Sequence, residues 1–310
     1  MKYQKSKPFA YVDLVGKPEK KEYVAHDEFD TQKFTGILDL EIEVLSDYLF
    51  VGSGNYDLDE KRKLVYYSFF RTVDGVAIPG TSIKGAVRSV AEAISNSCVS
   101  LARRNERKYL RDYLRHHSEC KFDERKNLTK LCPACRLFGT RGYGGRVSFK
   151  DAKGIKVKTE IVKIGELFPP RISKSKRKFY QNLKFKPIAN LKPEKNYRFV
   201  EAVKKGGKFV ASLSFQNVEE CELSLLLHSM AIYQDYAIKI GGAKPRCFGT
   251  VRFIPVKVKL LADNLLLEEK SGNKLKTMLH SVLRDKSLIE EKLLNQLKKV
   301  AISICPQGVY

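Results

Sequence analysis

Residues 36–45 alternate apolar and acidic side chains, the period-two pattern of a strand with one face buried, and they predict the first core strand. Further on the period changes: Ile83, Val87, Val90, Ala91 and Ile94 recur at helical spacing and make one apolar face. Gly206-Gly207-Lys208 reads as a hairpin turn entering a second alternating run that ends at Phe215. Residues 221–236 are strongly apolar and predict a helix, on which His228 reads as a core or surface histidine rather than a ligand. Residues 251–256 predict a final strand. Beyond Leu260, Leu275, Met278 and Leu279, then Leu293, Leu294 and Leu297, mark two amphipathic helices, an appendage or a subunit contact. Toward the N-terminus, residues 9–15 read as a short strand, and residues 17–34, charged and without period, as a loop or arm. Residues 110–120 read as the end of a helix.

The breaks between these runs carry the candidate chemistry. Ile78-Pro79-Gly80 is a turn, because Pro presets φ and Gly permits the reversal, and Thr81 or Ser82 is placed to cap the helix behind it. Lys84 and Arg88, four apart, project from one side near the helix start. Helix amides, small hydroxyls and two cations make an anion site, most naturally for phosphate; the plainer reading is a capped surface helix with solvated charges. Upstream, Gly52 and Gly54 sit where backbone must turn or approach something closely. Asp57, Asp59 and Glu60 beside them are candidates for acid–base or metal work, or simply members of a polar loop.

Residues 137–152 form a Gly-rich loop feeding a short strand, with Arg141 and Arg146 expected to be exposed, either as a flexible turn or as a phosphate approach. Residues 169–208 turn basic and interleave aromatics. Arg177, Lys178 and Tyr180 stand in the middle of this stretch, whose composition suits a single-strand-binding surface. A last Gly-rich loop carries Gly241, Gly242, Lys244 and Arg246, glycines for close backbone approach and cations for charge.

Charge selects among partners. With 58 Lys+Arg against 35 Asp+Glu the formal net charge is +23, which asks for a polyanion, nucleic acid first. No basic amphipathic helix or long apolar stretch argues for a membrane. Seven cysteines and no visible signal peptide argue against a disulfide framework and for a cytoplasmic location. Cys132-Pro133-Ala134-Cys135 is half of a zinc site, and His116 and Cys120, one helical turn apart, can complete it. His116, Cys120, Cys132 and Cys135 would make a closed, structural Cys₃His centre with His117 as the alternate histidine; the competing reading is buried free thiols beside surface histidines.

The run I-P-G-T-S-I-K-G-A-V-R, residues 78–88, resembles the I-P-G-S-S-L-K-G-x-x-R signature of the RAMP superfamily, the RNA-binding subunits of CRISPR effector complexes. Three further blocks in the family's order resemble it too: the Gly52–Gly54 loop, the Cys-Arg-Leu-Phe-Gly and Arg-Val-x-Phe-x-Asp-Ala block, and the final Gly-rich loop, where Cys247 replaces the usual Gly. The resemblance covers roughly residues 36–255.

It implies an α+β fold with a ferredoxin-like (RRM-like) βαββαβ core, a zinc-binding insertion and a C-terminal helical appendage. It also implies a basic protruding hairpin that wedges into the guide–target duplex. On this division residues 1–35 are an N-terminal strand and arm and 36–258 the RAMP domain, with the insertion at 103–137 and the protrusion at 169–208. Residues 259–310 are then the appendage.

The implied role is a guide RNA-binding subunit of a type III effector complex, of the Csm or Cmr kind. It would meet target RNA and the other subunits and act in antiviral defence against foreign RNA and DNA. Structural zinc is the implied cofactor, as zinc sites occur at this place in some type III backbone subunits. Some of those subunits also carry an Asp ahead of the I-P-G turn that supports metal-dependent cleavage of target RNA; residues 62–67 offer no carboxylate here. The rival reading is therefore an endoribonuclease using Mg through Asp57 or Asp59, or a guide-processing enzyme using His26.

Overall fold

The computed structural model describes residues 9–14, 17–99, 119–167, 176–180, 185, 188, 190–262 and 266–302. The alternating run forms strand β2 (Phe34–Val44), with β1 (Phe9–Asp13) ahead of it. Strands β3 (Gly52–Asp59), β4 (Leu64–Phe69) and β5 (Gly75–Ile78) lead into helix α1 (Gly80–Ile94). The short helix α2 (Pro133–Phe138) precedes β6 (Val147–Phe149), β7 (Ala152–Lys156), β8 (Thr159–Gly165) and β9 (Lys176–Tyr180). Then come β10 (Tyr197–Lys204), β11 (Lys208–Val218), α3 (Glu220–Ser229), β12 (Thr250–Leu261), β13 (Leu267–Ser271), α4 (Gly272–Val282) and α5 (Glu291–Ile302).

β2 is the centre of the main sheet, because both of its edges are paired: antiparallel to β11 on one side and to β12 on the other, with β7 and β5 continuing beyond β11. Its period puts Leu38, Leu40, Ile42 and Val44 into the core under α1 and α3, and turns Asp39, Glu41 and Glu43 outward. There Glu41 meets Lys208 at 2.7 Å and Glu43 meets Arg252 at 3.7 Å. Pro255 has no N–H to give the ladder, and it sits where β12 bulges, between the pairing with Ile238–Lys239 and the pairing with β13. The apolar face predicted on α1 is buried as expected, and α1 packs on α3. The two C-terminal helices also form. They are not set apart from the domain: Leu275, Leu279, Leu293, Leu294 and Leu297 belong to the same core, and α5 lies against α1 and β1.

A second sheet runs β8-β10-β4-β3. It covers its own small core of Val162, Ile164, Val200, Ala202, Ala243 and Phe248. Residues 50–57, expected as a loop, become strand from Gly52 onward. A register shift between Gly52 and Tyr56, with Gly54 at φ 91°, makes this a bulge, so the period is broken in sequence while the pairing with β4 continues. The basic stretch differs from expectation as well. Its described strand β9 pairs along its whole length with β1, packs against α5, and is not a free hairpin. Among the described helices none is long and apolar enough to cross a membrane.

Candidate nucleic-acid interface and metal centre

The first and last Gly-rich loops meet. Gly241, at φ 78°, lies so close to β3's approach segment that a Cβ there would sit 2.2 Å from the carbonyl oxygen of Phe50. The Gly242 amide donates to that same oxygen at 2.8 Å, and the Gly249 amide donates to Tyr48 O at 2.9 Å. Any side chain at Gly241 would part the two loops, so glycine here serves close approach as well as conformation. Cys247, in the place where the family has Gly, keeps a left-handed backbone at φ 72°, a strain of about 1 kcal/mol for a residue with a Cβ. Phe248 plugs the second core beside it.

Two lysines belong to this loop. Lys239 Nζ donates to Phe248 O at 3.1 Å and Thr250 Oγ1 at 2.9 Å, neutral acceptors only. Burial brings its pKa down to about 8, and burial does the same to Lys244. Together with Lys178 they line a cavity of about 110 Å³ whose walls are α1, β9 and α5. Two half-buried amines whose charge burial weakens are placed to take an anion, which would stabilise the charged form.

The motif arginines point elsewhere. Arg146, expected at the surface, is buried: Nε donates to Arg136 O at 3.0 Å, and its other donors reach Asn217 O and the Glu222 carboxylate. Glu222 is fixed by α3's capping box with Glu219 and also accepts from Arg136, so this is an interior ion-pair network. Arg88 donates to Glu92 at 2.8 Å, to Gly139 O at 2.8 Å and to Cys135 Sγ at 3.5 Å. Arg177 donates to Ser89 O and to the same Glu92, locking β9 onto α1. Arg246 donates to Gly165 O and Glu166 O at 3.2 and 2.7 Å. Arg141 alone of the five is exposed. Planar guanidinium forks satisfy several fixed acceptors at once, which explains why the interior recruits them.

The start of α1 also differs. Neither Thr81 nor Ser82 caps it; the helix begins at Gly80 after Pro79, and Asp151 Oδ1 accepts from the Gly80 amide at 2.8 Å. The chain thus supplies its own anion to that helix end. Gly80 is pressed on β6's exit, with its Cβ position 2.0 Å from Phe149 O. Lys84 stays half-buried nearby, its amine held below the usual lysine range by burial and by Arg88. Lys178 lies over the Phe9 ring at 4.3 Å, and Tyr180 pairs across from Phe9. Asp57 accepts from Tyr66 Oη at 3.0 Å, and Asp59 accepts from the Arg62 amide, closing the hairpin turn. His26 contacts Gly144 O at 3.2 Å.

The metal reading gains a ligand that the sequence reading left out. Cys98, Cys120, Cys132 and Cys135 are all buried, with their sulfurs within 4.8 Å of one another; Cys98 and Cys135 stand 3.4 Å apart. Tetrahedral zinc at 2.3 Å from each sulfur requires about 3.8 Å between sulfurs, so four thiolates here fit the ion with small adjustment. The amides of Cys98 and Cys132 donate to Cys132 Sγ and Cys120 Sγ, both at 3.4 Å, which favours thiolate. Hydrogen bonds from the other three thiols hold Cys120 below the ordinary thiol range. Arg88 adds a cation on Cys135. His116 and His117 lie outside the described residues. The only signal for Cys98 was its residue type in a cysteine-poor chain.

Glycine loops joined edge to edge beside two half-buried lysines, and a four-cysteine cluster near α1, are thus the chemically distinctive features of the fold. The family model of the RAMP superfamily matches residues 41–252, and the chain belongs to that superfamily, typical of type III CRISPR complexes. No curated protein is matched.

Proposed function

We propose that this chain is the guide RNA-binding subunit of a type III CRISPR effector complex, located in the cytoplasm, working with target RNA and neighbouring subunits in antiviral defence. The observation that carries the reading is the junction at Phe50, where Gly241 and Gly242 close on the segment leading to Gly52 and Gly54, with Lys239 and Lys244 beside it. Part-desolvated amines beside two tightly closed loops suit a phosphodiester that must approach closely. The antiparallel order β12-β2-β11-β7, with α1 and α3 in the two crossovers, supports a ferredoxin-like core across residues 36–258. The cysteine cluster supports one structural zinc held by Cys98, Cys120, Cys132 and Cys135.

A filter-binding titration of guide RNA tests the reading. Wild type should bind with a steep salt dependence, and Lys244→Ala should weaken binding and flatten the salt slope by about 0.7 for the lost phosphate contact. Equal affinity and slope for the two proteins would reject it.

A further inference from the structure

The second sheet carries an aromatic surface that the basic stretch does not supply. On the face of β3 and β4 that continues from the Gly-rich junction, Tyr56 stands directly opposite Tyr67, and Leu58 opposite Val65. The two rings pack 4.1 Å apart and their hydroxyls are hydrogen-bonded. Tyr67 is braced a second time by Arg198, 5.2 Å from its ring, and Arg198 is itself ion-paired with Glu166. Tyr56 at the open end is 61 % exposed, Leu58 53 % and Val65 58 %. Cross-strand pairs alone stabilise a hairpin, but they give no reason for such a row to face water.

The hairpin's other features suit a polyanion. Its turn reads Lys61-Arg62-Lys63, and Gly54, two residues before Tyr56, has open space where a Cβ would be. The chain as a whole carries +23. An exposed ring already held by its neighbours costs little ordering on binding.

We propose that Tyr56, backed by Tyr67 and Arg198, is a stacking platform for an unpaired base of single-stranded RNA leaving the Gly-rich junction. This rests on the proposed RNA-binding function and adds a base-contacting site to its backbone contacts. Stacking is indifferent to base identity and carries no phosphate charge, so it contributes affinity without salt dependence.

The test uses the full chain with a single-stranded oligoadenylate RNA and the same strand in duplex. Tyr56→Ala should raise Kd for the single strand about 5- to 100-fold with the salt slope unchanged, and leave duplex binding as it was. Tyr56→Phe should stay within about 2-fold, because the ring is kept. Wild-type affinity for Tyr56→Ala alongside impaired Lys244→Ala would overturn the platform and leave the RNA-binding function standing. An absence of RNA binding by wild type would remove that function itself. If Tyr56→Ala kept its RNA affinity but changed the sedimentation of the protein, the face would be a protein contact and the platform wrong. As a check free of substitutions, thiouridine-substituted RNA photocrosslinked to wild type should label the peptide containing Tyr56; labels confined to other peptides would overturn the proposal.

Discussion

Two cationic regions of this protein have similar composition and opposite employment. Around α1, Arg88, Arg146 and Arg177 face Glu92, Glu222 and backbone carbonyls, and are consumed in holding helices to strands. At the C-terminal Gly-rich loop, Lys239 and Lys244 are half-buried without a carboxylate partner among the described residues, and Lys239 donates only to neutral oxygens. A basic motif therefore does not announce its own direction. Where a fixed acceptor lies within reach, a buried carboxylate for Arg88, Arg146 and Arg177 or backbone carbonyls for Arg246, the cation builds the fold.

The largest effect should come from the interior side. Cys98→Ser should eliminate stoichiometric zinc in metal analysis and lower Tm on the order of 10 °C, because the metal's binding energy is folding energy. Cys221→Ser, outside the cluster, should move Tm by less than about 2 °C. A zinc-loaded Cys98→Ser protein of unchanged Tm would return the fourth position to a histidine. Next, Arg146→Ala should cost about 3–5 kcal/mol in urea unfolding, since Glu222 is left buried with one partner fewer. Guide affinity per folded molecule should be unchanged, and a lost affinity at equal folding would make Arg146 a ligand contact and blur the contrast.

On the ligand side the effects are smaller and depend on pH. Lys239 and Lys244, both at about 8, are charged below that pH and neutral above it, so RNA affinity should hold to pH 7.5 and fall between 8 and 9. Ordinary lysines lose charge only near 10.4. Lys244→Arg should keep affinity to higher pH, and a flat wild-type profile through pH 9 would show that these amines take no part. The folded state binds fewer protons here than the unfolded chain, so protein stability should rise, not fall, across the same range. Smallest of all, Lys84→Ala should weaken binding about 2- to 5-fold without lowering Tm, whereas Arg88→Ala should lower Tm first.

Where the period was unbroken, the chain declared its fold: β2, α1 and the paired C-terminal helices stand within a few residues of their predicted positions. β3 was hidden because a bulge at Gly54 interrupts its alternation. The cap of α1 could not be found locally, since Asp151 comes from a block distant in sequence and near only in space. Cys98 was missed for the same reason, standing before the insertion that carries its three partners. Arg146 was misjudged because glycines around it suggested exposure, while its true partner, Glu222, lies on α3. Local rules found elements and glycine loops; which charges pair required the tertiary fold.

The central position of β2 has a consequence for how the protein is made. Both of its sheet neighbours, β11 and β12, lie far downstream, beginning at Lys208 and Thr250. At about 5–20 residues per second, the ribosome leaves Leu38, Leu40 and Ile42 without their partners for roughly 10 to 40 seconds. Throughout that interval the nascent strand is an open edge available to other chains. Asp39, Glu41 and Glu43, whose surface ion pairs contribute little to the finished molecule, repel like strands from neighbouring polysomes during this wait.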